Sequence, residues 1–307
     1  MSPRVWFSAF DASADNASPT NGFYTVTGTS SGFGRVATEH ALAQGDVVVA
    51  TLRKPEALDD LKAKYAADKL LVLRLDVTIA KEIADAFQKA IDVFGRIDVV
   101  FNNAGYSVFA EVEGTTNEVA RALFNTNFFG AMDVSREAVR VFRDVNRPIG
   151  GRLLITSSMA GIGPIPRMGY YVSTKHALEG GTKTLVSELD SAWNIKVTLI
   201  EAGSFETSIC GKSVVAPLHP AYTEPTLPSV VARTLLTDPT GPKVSWNNTN
   251  KGVAEIYRLT TLDDPPLHFP LGKDALGLIR NQIEVLTNDM ERYESWSADL
   301  RELCVPE

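Results

Sequence analysis

Residues 27–34 read TGTSSGFG, and the fold follows from how these eight residues are placed. They come directly after an apolar run, Phe23–Val26 (FYTV), and lead into an amphipathic stretch, Val36–Ala43 (VATEHALA). A glycine triplet alone says little, but between a strand and a helix each glycine acquires a task. Gly28 permits the tight turn. Gly32 and Gly34 let the backbone approach a pyrophosphate and the helix approach the sheet. Ser30, Ser31 and Phe33 complete a turn whose free N–H groups, at the positive end of a helix, favour a phosphate. A plain β–α turn also uses small residues, but a strand and a helix on the correct sides favour a dinucleotide turn.

The pattern repeats outward from this turn. Apolar runs at Asp46–Ala50, Leu70–Leu75, Asp98–Phe101, Arg152–Thr156 and Lys196–Ile200 read as short buried strands. Helix-like segments lie between them, among them Ala80–Phe94, Asn117–Arg143 and Lys175–Leu189. Such alternation predicts βαβ units, hence an α/β fold: a single Rossmann-type, doubly wound parallel sheet with helices on both faces. The length of 307 residues suits one such domain. Farther on, Asn250–Thr261 reads as a helix, Leu267–Pro270 as an edge strand and Lys273–Leu303 as a long helix.

The second strand bears on cofactor choice. Sites that prefer NAD place a carboxylate at its end to hold the ribose 2′-hydroxyl. Here the chain runs Ala50-Thr51-Leu52-Arg53-Lys54, with no acid. Arg53 is suited to a 2′-phosphate, which favours NADP(H); the alternative is a solvated basic turn.

Residues 168–175, MGYYVSTK, carry the candidate chemistry. Helical positions i and i+4 share a face, so Tyr171 lies beside Lys175, whereas Tyr170 is turned about 140° from it. A free phenol has a pKa near 10, and a nearby ammonium is expected to lower it. Tyr171 then serves as the acid or base in carbonyl reduction or alcohol oxidation.

With these residues in order, the chain resembles the short-chain dehydrogenase/reductase family. Further matches are Asp76-Val77 after the third strand, Asn102-Asn103-Ala104-Gly105 after the fourth, Asn127 in FNTNFFG, Ser157-Ser158 after the fifth, and Gly203 to Thr207 after the sixth. The likeness runs from about Phe23 to Ile209, and the ending PLHFPLGKDALGLIR resembles a hydroxysteroid-dehydrogenase-like branch. The resemblance implies an NAD(P)-dependent oxidoreductase with Tyr171 as acid–base group. Lys175 would tune it and hold the nicotinamide ribose. Ser158 would bond the substrate oxygen, and Asn127 would anchor a relay water. Asp76 and Val77 would contact adenine, Asn103, Ala104 and Gly105 would underlie its ribose, and Gly203, Phe205 and Thr207 would border the nicotinamide. The family often has Pro-Gly where this chain has Ala202-Gly203, which is expected to leave that loop less constrained.

The expected activity is NADPH-dependent reduction of a ketone or aldehyde on a hydrophobic small molecule. Two alternatives are an NAD(P)+-dependent alcohol dehydrogenase using the same site and a non-catalytic dinucleotide-binding regulator. Residues 1–21 read as a mobile extension, because Ser8–Asn21 lacks apolar periodicity. Residues 22–307 form the oxidoreductase domain, with a proline-broken substrate lid near 208–228 and the final helix at 273–303. Lid residues Ile209, Val214, Val215, Leu218, Tyr222 and Leu227 suit an apolar substrate. A net charge of −7 without a basic run argues against nucleic acid. No apolar run approaches the roughly 18 residues of a membrane span. His40, His176, His219 and His268 share no ligand spacing, so no metal is expected. Two cysteines and no persuasive leader suggest the cytoplasm. Homo-oligomerisation is left open.

Overall fold

All six residues of the strand Val47–Leu52 are buried, as a strand covered on both faces requires. In the computed structural model, which describes residues 22–207, 213–237 and 246–300, this strand (β2) belongs to a seven-stranded parallel sheet. The others are β1 (Phe23–Thr27), β3 (Leu70–Arg74), β4 (Val99–Asn102), β6 (Gly151–Thr156), β7 (Ile195–Ala202) and β9 (His268–Leu271). Their order is β3-β2-β1-β4-β6-β7-β9. Phe23–Thr27 therefore lies inside the sheet, paired with both β2 and β4. Residues 1–21, with the expected extension, lie outside the described residues.

Helices cover the two faces. On one side α1 (Gly32–Ala43), α2 (Asp59–Lys64) and α8 (Thr249–Leu259) close a core that includes Val26, Val48, Ala50, Leu58 and Ile256. On the other, α3 (Ala80–Phe94), α5 (Ala131–Arg140) and α6 (Gly169–Glu188) pack over Val49, Val100, Leu153, Ile155 and Leu199. A fully buried side chain of this size contributes roughly 1.5–3 kcal/mol, so these two layers make the sheet the rigid base of the molecule.

Three expectations are corrected. The helix expected over Asn117–Arg143 is not continuous: α4 (Asn117–Phe124) passes into a π-helical stretch, Asn125–Gly130, before α5, and a second one follows at Val141–Val145. π-turns widen the hydrogen-bond ladder and recur at functional sites. The final helix, α9, runs from Lys273 to Tyr293 and tightens into a 3-10 turn at Glu294–Ser297; residues 301–303 lie outside the described residues. Two short strands were not foreseen: β5 (Val108–Phe109) and β8 (Val214–Val215) pair in parallel as a separate sheet. Residues 216–227 have no regular structure, as their prolines require, and α7 (Pro228–Thr237) begins at the last of these. Residues 208–212 of the expected lid lie outside the described residues.

Candidate active site

The strand order reverses between β1 and β4, because β2 and β3 extend to one side of β1 and the later strands to the other. Open α/β sheets bind ligands beyond the carboxyl ends of their strands at such a point. A cleft of about 1000 Å³ lies there.

Its floor is the glycine turn. Gly28 (φ +70) and Gly32 (φ +58) occupy left-handed backbone that other residues rarely adopt. A Cβ on Gly28 would fall 2.9 Å from the Ala104 Cα, and one on Gly34 would fall 2.4 Å from the Gly28 carbonyl oxygen. The turn is thus packed against the loop after β4, with room for a ligand backbone and none for side chains. The buried Thr27 hydroxyl joins the two, accepting hydrogen bonds from the Asn103 and Ala104 N–H groups, each at 2.9 Å. Asn103 donates back to the Thr27 carbonyl at 3.0 Å. These features fit a dinucleotide pyrophosphate. Arg53, exposed at the end of β2, and Asp76, at the end of β3, line the same end of the cleft. Burial opposes ionisation of Asp76, but hydrogen bonds from the Thr78 N–H and hydroxyl, with Arg53 and Arg74 nearby, hold its carboxyl below the usual range.

At the other end, α6 brings Tyr171 and Lys175 into the cleft, and the turn after β6 brings Ser158. Tyr170 does not line it. Lys175 donates to the Thr156 carbonyl at 2.7 Å, and its ammonium lies 5.8 Å from the centre of the Tyr171 ring. The Ser158 hydroxyl caps the following turn, accepting from Ala160 N–H at 3.1 Å and donating to the Ala202 carbonyl at 3.3 Å. The expected lowering of the tyrosine pKa is reversed here. Burial pushes the Tyr171 phenol upward, with the facing Ser158 hydroxyl pulling the other way. Burial also brings the Lys175 ammonium down to about 8, against the attraction of Glu179 one turn along. The dry wall of the cleft disfavours both ions.

Gly28, Ser30, Ser31, Phe33, Arg53, Asp76, Val77, Asn103, Ala104, Gly105, Ser158, Tyr171, Lys175, Gly203, Phe205 and Thr207 all line the cleft. Gly34 and Asn127 stand behind it. Asn127, fully buried in the π-helical stretch, accepts from Tyr106 N–H at 3.1 Å and donates to the Tyr106 carbonyl at 2.8 Å and the Thr174 hydroxyl at 3.3 Å. It thereby couples the loop after β4 to α6. Of the lid residues expected at the substrate end, Val214 lines the cleft and Val215, Leu218, Tyr222 and Leu227 do not; Ile209 lies outside the described residues. Phe109, Ile165, Met168, Leu235 and Trp246 take their place.

Two supporting groups were not foreseen. Asp274, in the first turn of α9, accepts from Ser204 N–H at 2.6 Å and from the Asn247 amide at 2.9 Å. A Cβ on Gly203 would fall 2.2 Å from its Oδ1. Ala202 continues β7, pairing with Leu271, so the loop without proline is tied down from α9. Arg167, with left-handed backbone (φ 64), is buried against Glu111, Nε to Oε1 3.4 Å. Its Nη2 donates to the Phe109 and Ala216 carbonyls at 3.3 and 3.0 Å, which fixes the β5–β8 sheet above Tyr171.

The short chain dehydrogenase family profile matches residues 23–215. An uncharacterised oxidoreductase of Schizosaccharomyces pombe is 34% identical over 275 residues, 87% of each chain. The crystal structure of a short-chain dehydrogenase from Streptomyces avermitilis, 31% identical, aligns with a TM-score of 0.82 over 93% of this chain and 100% of that one. A short-chain dehydrogenase/reductase from Burkholderia phymatum, in complex with NAD, shares the fold at 23% identity and a TM-score of 0.69, covering 89% and 95% of the two chains. Among the described residues no helix is long and apolar enough to cross a membrane.

Proposed function

The chain belongs to the short-chain dehydrogenase family and is an oxidoreductase, and from that premise we propose that it reduces a ketone or aldehyde on a hydrophobic small molecule, using NADPH. The observation that carries the reading is the meeting of Ser158, Tyr171 and Lys175 at the end of a cleft whose other end is the glycine turn. When bound, the dinucleotide supplies the hydride. Gly28, Gly32 and the α1 N-terminus would hold its pyrophosphate, and Arg53 its 2′-phosphate. Lys175 would hold the nicotinamide ribose.

The chain's own part is to orient the carbonyl and deliver a proton. The Ser158 hydroxyl turns from the Ala202 carbonyl to the substrate oxygen. Tyr171, whose pKa burial raises, keeps its proton at neutral pH and gives it to the oxygen as negative charge develops there. The wall formed by Phe109, Ile165, Met168 and Trp246 suits an apolar substrate.

The test is to titrate the protein with NADPH and then follow NADPH oxidation with a panel of ketones and aldehydes graded in size. Turnover that rises with substrate hydrophobicity supports the proposal. Tight NADPH binding with no turnover on any carbonyl and no reduction of NADP+ by alcohols would favour a dinucleotide-binding regulator.

A further inference from the structure

One helical turn beyond Lys175, on the same face of α6, three ionisable side chains converge. Glu179 comes from α6, Glu201 from β7 and His268 from the edge strand β9. The glutamate side chains are each 2% exposed, and His268 is 44% exposed. His268 Nδ1 lies 2.5 Å from Glu201 Oε1 and 3.8 Å from Glu179 Oε2. One donor atom from each residue falls within 4.8 Å of the other two.

The cluster is poorly satisfied from within. Among the described residues no well-formed hydrogen bond reaches either carboxylate oxygen of Glu179, whose hydroxyl neighbour, the fully buried Ser157, interacts with it only loosely. That hydroxyl borders the cluster: a Cβ on Gly161 would lie 2.8 Å from Ser157 Oγ and 2.9 Å from Glu179 Cγ. Buried polar atoms are normally paired, and buried charges are paired or bind a metal. One exposed imidazole cannot serve two buried carboxylates through a single nitrogen.

We propose that Glu179, Glu201 and His268 form a site for one divalent ion of the zinc type, entered from the β9 edge, with Ser157 or water completing the coordination. One imidazole nitrogen and two carboxylates suit zinc, whereas calcium takes six to eight oxygens. At zinc-to-donor distances of about 2.0–2.2 Å, donors stand no more than about 4.4 Å apart. With His268 Nδ1 at 2.5 and 3.8 Å from the two carboxylates, the widest gap, within 4.8 Å, lies between Glu179 and Glu201 and closes with a small rotation of their side chains. The three donors do not line the cleft, but the site adjoins its hydride-transfer end through Ser157, which does. Its ion would fasten the edge strand to α6 one helical turn beyond Lys175. The sequence hides it, since the donors stand 22 and 67 residues apart along the chain, and only β7–β9 pairing together with the packing of α6 on the sheet unites them.

The full-length protein, stripped with a chelator and dialysed, would be titrated calorimetrically with zinc chloride and melted with and without it. One saturable equivalent and a higher Tm are expected. Glu179→Gln and His268→Ala should each weaken that binding at least about tenfold, the lower bound for groups that merely support a ligand, and remove the rise in Tm. His268 lies at the exposed edge, so its variant decides if Glu179→Gln does not fold. No saturable equivalent would overturn the proposal and leave a proton shared between the carboxylates. Zinc binding unchanged by both substitutions would overturn it equally, as adventitious binding elsewhere.

Discussion

Lys175→Met is expected to make the protein more stable at neutral pH and inactive. The buried ammonium has its pKa brought from an ordinary 10.5 to about 8. Near pH 7 the side chain is charged in both folded and unfolded chains, and the folded chain bears the whole cost. That cost is on the order of 3 kcal/mol. The sign follows from proton counts. Between about pH 8 and 10.5 the unfolded chain holds the proton more often, so wild-type stability rises with pH across that window. Methionine fills similar space without the charge. It forfeits the hydrogen bond from the ammonium to the Thr156 carbonyl, roughly 1.5 kcal/mol for a charged donor. The net gain is therefore about 1.5 kcal/mol near pH 7. By about pH 9.5 the penalty in the wild type has shrunk to roughly 1 kcal/mol, and the variant's advantage has gone. Urea denaturation of both proteins at the two pH values measures this, with NADPH turnover recorded alongside. A variant less stable at pH 7, or a gain undiminished at the higher pH, would refute the claim that the lysine is held there against its own desolvation.

Four other outcomes are expected. Tyr171→Phe should lower turnover by about 10²–10⁴-fold, the usual contribution of a placed acid, with NADPH affinity nearly unchanged, while Tyr170→Phe stays active; the opposite pattern would move the chemistry to Tyr170. Arg53→Asp should weaken NADPH relative to NADH in a fluorescence titration, and a preference for NADH in the unaltered protein would contradict the reading of the second strand. Gly34→Ala places a Cβ 2.4 Å from the Gly28 carbonyl oxygen and should cost about 1–3 kcal/mol as overpacking, read as a lower Tm and weaker NADPH binding; a silent substitution would mean the turn is not closely packed. A chain beginning at Thr20 keeps all of β1 and should fold and bind NADPH normally, whereas loss of folding would assign a structural role to the residues before it.

What the sequence revealed was local. The glycine turn spans eight residues between a strand and a helix, and Tyr171 and Lys175 are one helical turn apart, so fixed backbone geometry converts spacing into neighbourhood. The sheet was equally legible, because a strand buried on both faces is apolar throughout, as Val47–Leu52 is. The contacts that hold the site in shape are different in kind. Asp274 reaches back 70 residues to Ser204, and Arg167 reaches 56 residues to Glu111. Neither pair has a spacing to read, since strand order and the β5–β8 pairing create it. The π-helical stretch at Asn125–Gly130 left no mark either, because apolar periodicity continues through it.

The tyrosine shows why finding a pair of residues is not the same as knowing its chemistry. Spacing alone put an ammonium beside a phenol and implied a lowered pKa. Burial was missing from that inference. It acts on both groups, lowering the lysine and raising the tyrosine, so the cleft itself favours a neutral, proton-bearing Tyr171. A group that must give up a proton to a carbonyl oxygen begins the reaction in that state. The burial that makes Lys175 costly to the fold thus also keeps the proton on Tyr171, and the Lys175→Met experiment measures the first effect directly, at the residue where stability and the proposed activity are opposed.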